Sequence, residues 1–314
     1  MIVPLLIAVV LFAAVPGAIV HEPPALVPVV DAQEQVLLSA AARLPRIPNR
    51  YPTPVKVDDS LGISVTADAA MVMDARTGIV LTQKSPDAVL PLASITKLMT
   101  ALVFLDHAQG WDTQVTMQPD DDEIGGRLFV TSGEVVTARD LFFTGLVGSA
   151  NNAMNALVRA TTLDRAGFLA AMNAKAASMG MTATHFEDVT GLSPQNVSTA
   201  RDVLALARSA FAVPEIREAT TMPAYDFRTV DQEIFHHIRN TDELVGGSLP
   251  LGGGKTGFTD EAGYSLVVSV EPPDRAPLLV VVLSSASSSA RFRETQNLAT
   301  WTYDSHTWEM QDGE

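Results

Sequence analysis

Pro91-Leu92-Ala93-Ser94-Ile95-Thr96-Lys97-Leu98-Met99-Thr100-Ala101-Leu102-Val103-Phe104-Leu105 is apolar almost all round from Ile95 onward. It is too long for a typical strand and is bounded by Pro91 before and Gly110 after, so it predicts a buried helix. Ser94 stands where that helix begins, at the positive end of its dipole, and Lys97 follows one turn later on the same face. An amine is thereby set beside a hydroxyl. A capping serine and a snorkelling lysine would share this spacing. An otherwise apolar helix is nonetheless an expensive place for Lys97. A serine hydroxyl is a poor nucleophile alone, and a lysine whose pKa is lowered by burial and a second cation can take its proton.

On either side of this helix the pattern changes. Ala67 to Met73 and Gly78 to Gln83 flank the turn Asp74-Ala75-Arg76-Thr77 and predict a hairpin. Gly263 to Val270 and Leu278 to Ser284 predict a second one around Glu271-Pro272-Pro273-Asp274-Arg275. Between them, Ala153 to Ala160, Leu163 to Met179 and Ser198 to Phe211 read as helices, the last capped by Ser198 or Thr199, and a final helix spans Ser289 to Tyr303. Strands at both ends with a helical middle imply an α+β architecture, in which distant segments assemble one antiparallel sheet covered by helices.

Residues 2 to 20 carry no charged or hydrogen-bonding side chain, a stretch about as long as a bilayer-spanning helix. It predicts a signal peptide or an N-terminal membrane anchor. The first Lys or Arg is Arg43, so the basic flank typical of a cleaved signal is missing. Either way the body of the protein is expected to be exported, to the periplasm or the outer face of the cytoplasmic membrane. Residues 21 to 60 hold seven prolines and predict a semi-rigid tether with a short helix around Gln35 to Arg43. The domain expected to fold is 61–305, followed by a short acidic tail, 306–314.

Composition closes off several classes of function. The 314 residues are 47% hydrophobic and 18% charged, a globular balance. With 21 Lys and Arg against 36 Asp and Glu, the net charge of -15 supplies no basic face for nucleic acid. The absence of cysteine removes thiolate nucleophiles, disulfides and zinc-thiolate sites. Asp120-Asp121-Asp122-Glu123 reads as a solvated loop rather than a metal site, and neither metal nor cofactor is expected.

Two further segments can carry chemistry. Ser149-Ala150-Asn151 precedes a helical stretch, so a hydroxyl and a carboxamide can project side by side from a connection. Lys255-Thr256-Gly257 follows Gly252-Gly253-Gly254, and its glycine lets another chain come close to the backbone. Each is weak alone, but the three in this order are specific.

Together with Gly191-Leu192, Ser198-Thr199-Ala200-Arg201-Asp202 and Phe258-Thr259-Asp260, these segments resemble the low-molecular-mass penicillin-binding proteins of the D-alanyl-D-alanine carboxypeptidase family. The middle motif departs slightly, with Ala150 and Asn152 where the family usually has Gly and Asp. The resemblance covers about Ala67 to Tyr303 and implies the D,D-peptidase and serine β-lactamase fold, a five-stranded antiparallel sheet flanked by helices with a mostly helical subdomain. It implies that Ser94 attacks the penultimate D-alanine carbonyl of a peptidoglycan stem peptide, that Lys97 takes its proton, and that β-lactams acylate Ser94. Ser149 would relay a proton to the leaving D-alanine, and Asn151 would hold Lys97 and a substrate amide. Lys255 and Thr256 would bind the terminal carboxylate, with Lys255 helping to depress the pKa of Lys97. The backbone N–H groups of Ser94 and Phe258 would form the oxyanion hole, and Gly257 would leave room for substrate as an added strand.

A class A β-lactamase would need a Glu-x-x-Leu-Asn segment between Asn151 and Lys255, and none occurs. Carboxypeptidase action is the expectation. A D,D-endopeptidase uses the same chemistry and is the alternative, raised by the chain's ending a few residues after the last helix. A catalytically silent peptidoglycan-binding protein would be expected to lack a motif residue.

Overall fold

Alternate residues of the central strands belong to two different cores. Met71, Val267, Leu279, Val281 and Leu283 pack into one, and Ala70, Val72, Leu266, Val268, Val280 and Val282 into the other. Both faces of the sheet are therefore buried, which is why Leu278 to Leu283 reads as an unbroken apolar run instead of an alternating one. The computed structural model describes residues 51–309 apart from Ile124. These residues lie within one compact unit, 49–314. The expected signal or anchor, 1–20, and the expected short helix around Gln35 to Arg43 lie outside the described residues. Among the described residues no helix is long and apolar enough to cross a membrane.

The sheet consists of β2 (Ala69–Asp74), β3 (Val80–Lys84), β6 (Leu251–Thr259), β7 (Gly263–Val270) and β8 (Leu278–Ser285), in the order β6-β7-β8-β2-β3 with every neighbouring pair antiparallel. Both predicted hairpins are present, β2–β3 and β7–β8. On one face lies the last helix, α7 (Ser288–Ser305), which contributes Phe292, Leu298 and Ala299 to the second core. On the other lie α1 (Lys97–His107), α2 (Ala138–Val147), α3 (Asn151–Leu157), α4 (Arg165–Ser178), α5 (Ala200–Ala210) and α6 (Pro214–Thr221). The fold is α+β with a five-stranded antiparallel sheet and a mostly helical subdomain, as expected.

Local chemistry sets the helix ends. Thr137, Asp164 and Thr199 accept from the backbone N–H groups of Asp140, Gly167 and Asp202, satisfying donors that the first helical turn leaves free. The run around Ser94 differs from its prediction in one respect: Ala93–Thr96 form a 3₁₀ turn, and the α-helix proper starts at Lys97.

Three features depart from the sequence reading or go beyond it. First, β4 (Ala224–Arg228) and β5 (Phe235–Arg239) form a hairpin past the helical middle, in a stretch for which no element was predicted. Tyr225 fastens it by donating to Asp140 at 2.8 Å, and His236 lies 2.7 Å from Glu134. Second, packing continues past 61–305 at both ends. Thr53–Lys56 (β1), from the expected tether, pairs antiparallel with His306–Glu309 (β9), from the expected tail, with Thr53 opposite Glu309. Third, the acidic run is only partly the solvated loop expected: Asp120 and Asp122 are exposed, but the run is tied to the fold. Asp121 is buried and bonded to Arg159, Asp122 accepts from Asn152 at 3.0 Å, and Glu123 accepts from Thr190 at 3.1 Å.

Candidate active site

Ser94 sits in a strained turn that its surroundings hold in place. Ala93, just before it, has φ of 46°, a left-handed conformation that costs an L-residue roughly 1–2 kcal/mol. Gly191, itself at φ 86°, presses its bare backbone against the Ala93 carbonyl. Asn196 adds two bonds: its carbonyl accepts from Leu92 N at 2.8 Å, and its amide donates to Thr96 Oγ1 at 3.1 Å. Asp188 ties this buttress together, accepting from the backbone N–H groups of Thr190, Gly191 and Ser193.

Lys97 is fully buried, and its three donor positions are all engaged. Nζ lies 2.7 Å from Ser94 Oγ, 2.7 Å from the Thr190 carbonyl oxygen and 3.3 Å from Asn151 Oδ1. Burial drives its pKa down to about 7, against the pull of Asp188 and Glu123, and Arg127 pushes it further in the same direction. A buried amine this close to a hydroxyl can accept its proton near neutral pH.

Ser149 closes the connection between α2 and α3 at φ 60°. Gly148, before it, has no room for a side chain, since a β-carbon there would come within 2.5 Å of Ile238. Asn151 opens α3, with its side chain toward Lys97 and its N–H donating to the Arg127 carbonyl at 2.9 Å. The departure at Asn152 has a structural explanation: it is buried and donates to Val130 O at 2.7 Å and to Asp122.

Lys255 reaches from β6 to within 2.9 Å of Ser149 Oγ. It too is buried, and its pKa falls well below the usual lysine range, through burial first and then through the positive charges of Lys97, Arg127 and Arg291, while Asp242 opposes the fall. Two hydroxyl–amine pairs, Ser94 with Lys97 and Ser149 with Lys255, thus share the site. Thr256 Oγ1 bonds to Thr241 Oγ1 at 2.6 Å. Gly257 brings β6 close to the nucleophile turn, because a β-carbon there would stand 2.8 Å from the Leu92 carbonyl oxygen. Phe258 is half exposed, with its ring stacked on Tyr264 at 4.3 Å.

All the expected residues therefore meet around one cleft, whose walls include Ser94, Ser149, Asn151, Thr256, Gly257 and Phe258. Sequence reasoning missed Arg127, Thr241 and Arg291, which also line it, and Asp188, Thr190 and Asp242, which support it. Arg291 comes from α7, is nearly buried and donates to the Gly257 carbonyl at 3.1 Å. The Asp-x-Thr-Gly spacing of residues 188–191 was a legible turn signal, whereas nothing in sequence marks Arg127 or Arg291. Among the described residues no group of His, Asp or Glu is arranged to hold a metal ion.

A serine D,D-peptidase of the penicillin-binding class is the kind of protein that this fold and cleft define. The chain belongs to the D-alanyl-D-alanine carboxypeptidase family, whose model matches residues 55–287. It is 34% identical to a D-alanyl-D-alanine endopeptidase of Pseudomonas aeruginosa over 253 residues, 79% of this chain and 81% of that protein. It is 33% identical to the D-alanyl-D-alanine carboxypeptidase DacC of Escherichia coli over 257 residues, 76% of this chain and 62% of that one. The solved Streptomyces K15 DD-transpeptidase superposes with a TM-score of 0.73 at 27% identity, covering 78% of this chain and all of its own. Penicillin-binding protein D2 of Listeria monocytogenes, in its cefotaxime-bound form, gives 0.69 at 30% identity, covering 78% of this chain and all of its own.

Proposed function

We propose that this protein is exported and hydrolyses peptide bonds that follow a D-alanine in peptidoglycan, through an acyl-enzyme on Ser94 that penicillins also form. The 2.7 Å contact between the buried Lys97 amine and Ser94 Oγ carries this reading. Ser94 Oγ bonds to the carbonyl carbon as its proton passes to Lys97, and the oxyanion rests between the N–H groups of Ser94 and Phe258. The carbon–nitrogen bond then breaks, and the leaving amine takes a proton through Ser149. Lys255, Thr256 and Arg291 hold the carboxylate on the leaving side. Water then attacks the ester and frees Ser94.

Cross-link cleavage is our preferred finer activity. The relatives named D-alanyl-D-alanine endopeptidase, from Pseudomonas aeruginosa and Escherichia coli, are 34% and 33% identical to this chain over 79% and 76% of it, which supports this reading. Terminal D-alanine removal, the expectation from sequence, uses the same residues and is favoured by the family to which the chain belongs. Product analysis separates them: purified protein is given a pentapeptide or a cross-linked dimer, and released D-alanine is measured against monomer. Dimer left intact beside processed pentapeptide would overturn the endopeptidase assignment, and the converse would overturn the carboxypeptidase one.

A further inference from the structure

Arg127 is a cation with no internal counter-charge in a cleft already rich in cations. Its backbone is fixed to the second motif: its carbonyl accepts from Asn151 N at 2.9 Å, and its N–H donates to Asn151 Oδ1 at 3.4 Å. Its side chain is exposed and lines the cleft beside Ser94 and Arg291. Among the described residues the guanidinium has neither an ion pair nor a hydrogen-bond partner. This is not for want of carboxylates, since the chain has 36 acidic residues against 21 Lys and Arg. The nearest in sequence are engaged elsewhere, Asp121 with Arg159, Asp122 with Asn152, and Glu123 with Thr190 and Arg165.

Like charges gathered in one partly buried site repel unless an anion joins them. Arg127 disfavours the charged forms of Lys97, Lys255 and Arg291, so its field reaches the whole cleft. One carboxylate at the leaving end of the substrate accounts for Lys255 and Arg291, the cations nearest Thr256 and Gly257. It leaves Arg127 unmatched. Arg127 hangs instead on Asn151, whose side chain bonds to Lys97 and so belongs to the nucleophile's side of the scissile bond.

We infer that the cleft selects peptides with a second carboxylate, borne by the side chain just before the D-alanine whose carbonyl is attacked, and that Arg127 binds it as the specificity-determining residue. This rests on the serine D,D-peptidase reading. Guanidinium suits the task because it can meet a carboxylate with two parallel hydrogen bonds. The full chain would be given acetyl-Xaa-D-Ala-D-Ala and the dimer cross-linked through the same acetyl-Xaa-D-Ala unit, each in two versions identical except that Xaa ends in a free carboxylate or in the matching primary amide. The wild type should prefer the carboxylate in kcat/KM by at least about tenfold, the low end for a charged hydrogen bond. Arg127→Gln should bring the ratio close to one while still being labelled by penicillin, which reports an intact nucleophile. Arg127→Lys should restore part of the preference.

Equal kcat/KM on the two versions, or a ratio unchanged in Arg127→Gln, would overturn the inference alone. A wild type that neither cleaves these substrates nor is labelled by penicillin would overturn the peptidase reading, and the inference with it; one that is labelled yet cleaves neither version would overturn the inference alone.

Discussion

The backbone of Gly191 lies so close to the carbonyl oxygen of Ala93 that a β-carbon on Gly191 would overlap it. The nucleophile's turn and the 188–198 segment are in effect one piece. Gly191→Ala would meet both this overlap and a left-handed φ of 86°. We expect at least about 2 kcal/mol of lost stability in denaturant unfolding, together with slower penicillin acylation, since Ser94 moves with Ala93. A variant as stable and as reactive as the wild type would show that the turn is not buttressed in this way.

Lys97→Met keeps an apolar stem of similar volume and removes only the amine. Acylation by penicillin and by peptide should fall on the order of 100-fold to 10,000-fold, the usual loss of a general base, with the fold retained by circular dichroism. Near-wild-type acylation would dismiss the serine–lysine mechanism.

The rate should also depend on pH in a defined sense. Lys97 acts as a base only when neutral, so acylation should rise with pH through about 7. Lys255 must stay protonated to hold a carboxylate. Because its pKa is lowered, the rate on peptides should fall again at a pH below the ordinary lysine range. The two limbs belong to the coupled pair. A profile flat from pH 5 to 9 under acylation-limited conditions would contradict the assignment of Lys97 as the base.

Ser149 has a left-handed φ of 60°, and replacement separates its strain from its chemistry. Ser149→Ala and Ser149→Gly both remove the hydroxyl that meets Lys255, so both should slow turnover. Only glycine relieves the backbone, and it should be the more stable of the two by about 1 kcal/mol. Equal melting temperatures would mean that the conformation carries no strain.

Asp242 is buried behind Gly254, its Oδ1 bonded to Leu244 N at 3.0 Å and its Oδ2 without a partner among the described residues. Burial raises its pKa from 3.8 to about 6. The folded state therefore binds the extra proton between those values, and the charged carboxylate costs stability that is absent below pH 3.8 and complete above pH 6. Asp242→Asn should be stabilising by up to about 3 kcal/mol at pH 8 and close to neutral near pH 4. Destabilisation at pH 8 would show that the negative charge is needed against Lys255 and Arg291.

Much of the fold could be read directly because both hairpins and the helices α4, α5 and α7 follow simple periodicity, bounded by turn and capping residues. Ser94, Lys97, Ser149, Asn151 and Lys255 to Phe258 stood in short motifs whose order was informative. What escaped depends on contacts distant in sequence. The β4–β5 hairpin is held by Tyr225 to Asp140 and by His236 to Glu134, pairs 85 and 102 positions apart. Thr53–Lys56 includes a proline and is stabilised by a partner 250 or more positions away. Arg127 and Arg291 enter the cleft from segments with no local signature, and only three-dimensional proximity distinguishes them from the chain's other arginines.

The pairing of β1 with β9 also fixes how the molecule bears load. Thr53 and Glu309 face each other across the ladder, so a force applied between those two residues acts across the strands rather than along them. The backbone bonds of that ladder would break in succession, each at low force, as in a zipper. The central sheet would be spared until the last pair, Lys56 with His306, had opened. The same proximity lets a short peptide join Glu309 back to Thr53, so that new ends could be cut elsewhere on the surface while the cleft, whose residues lie within 94–291, stays whole.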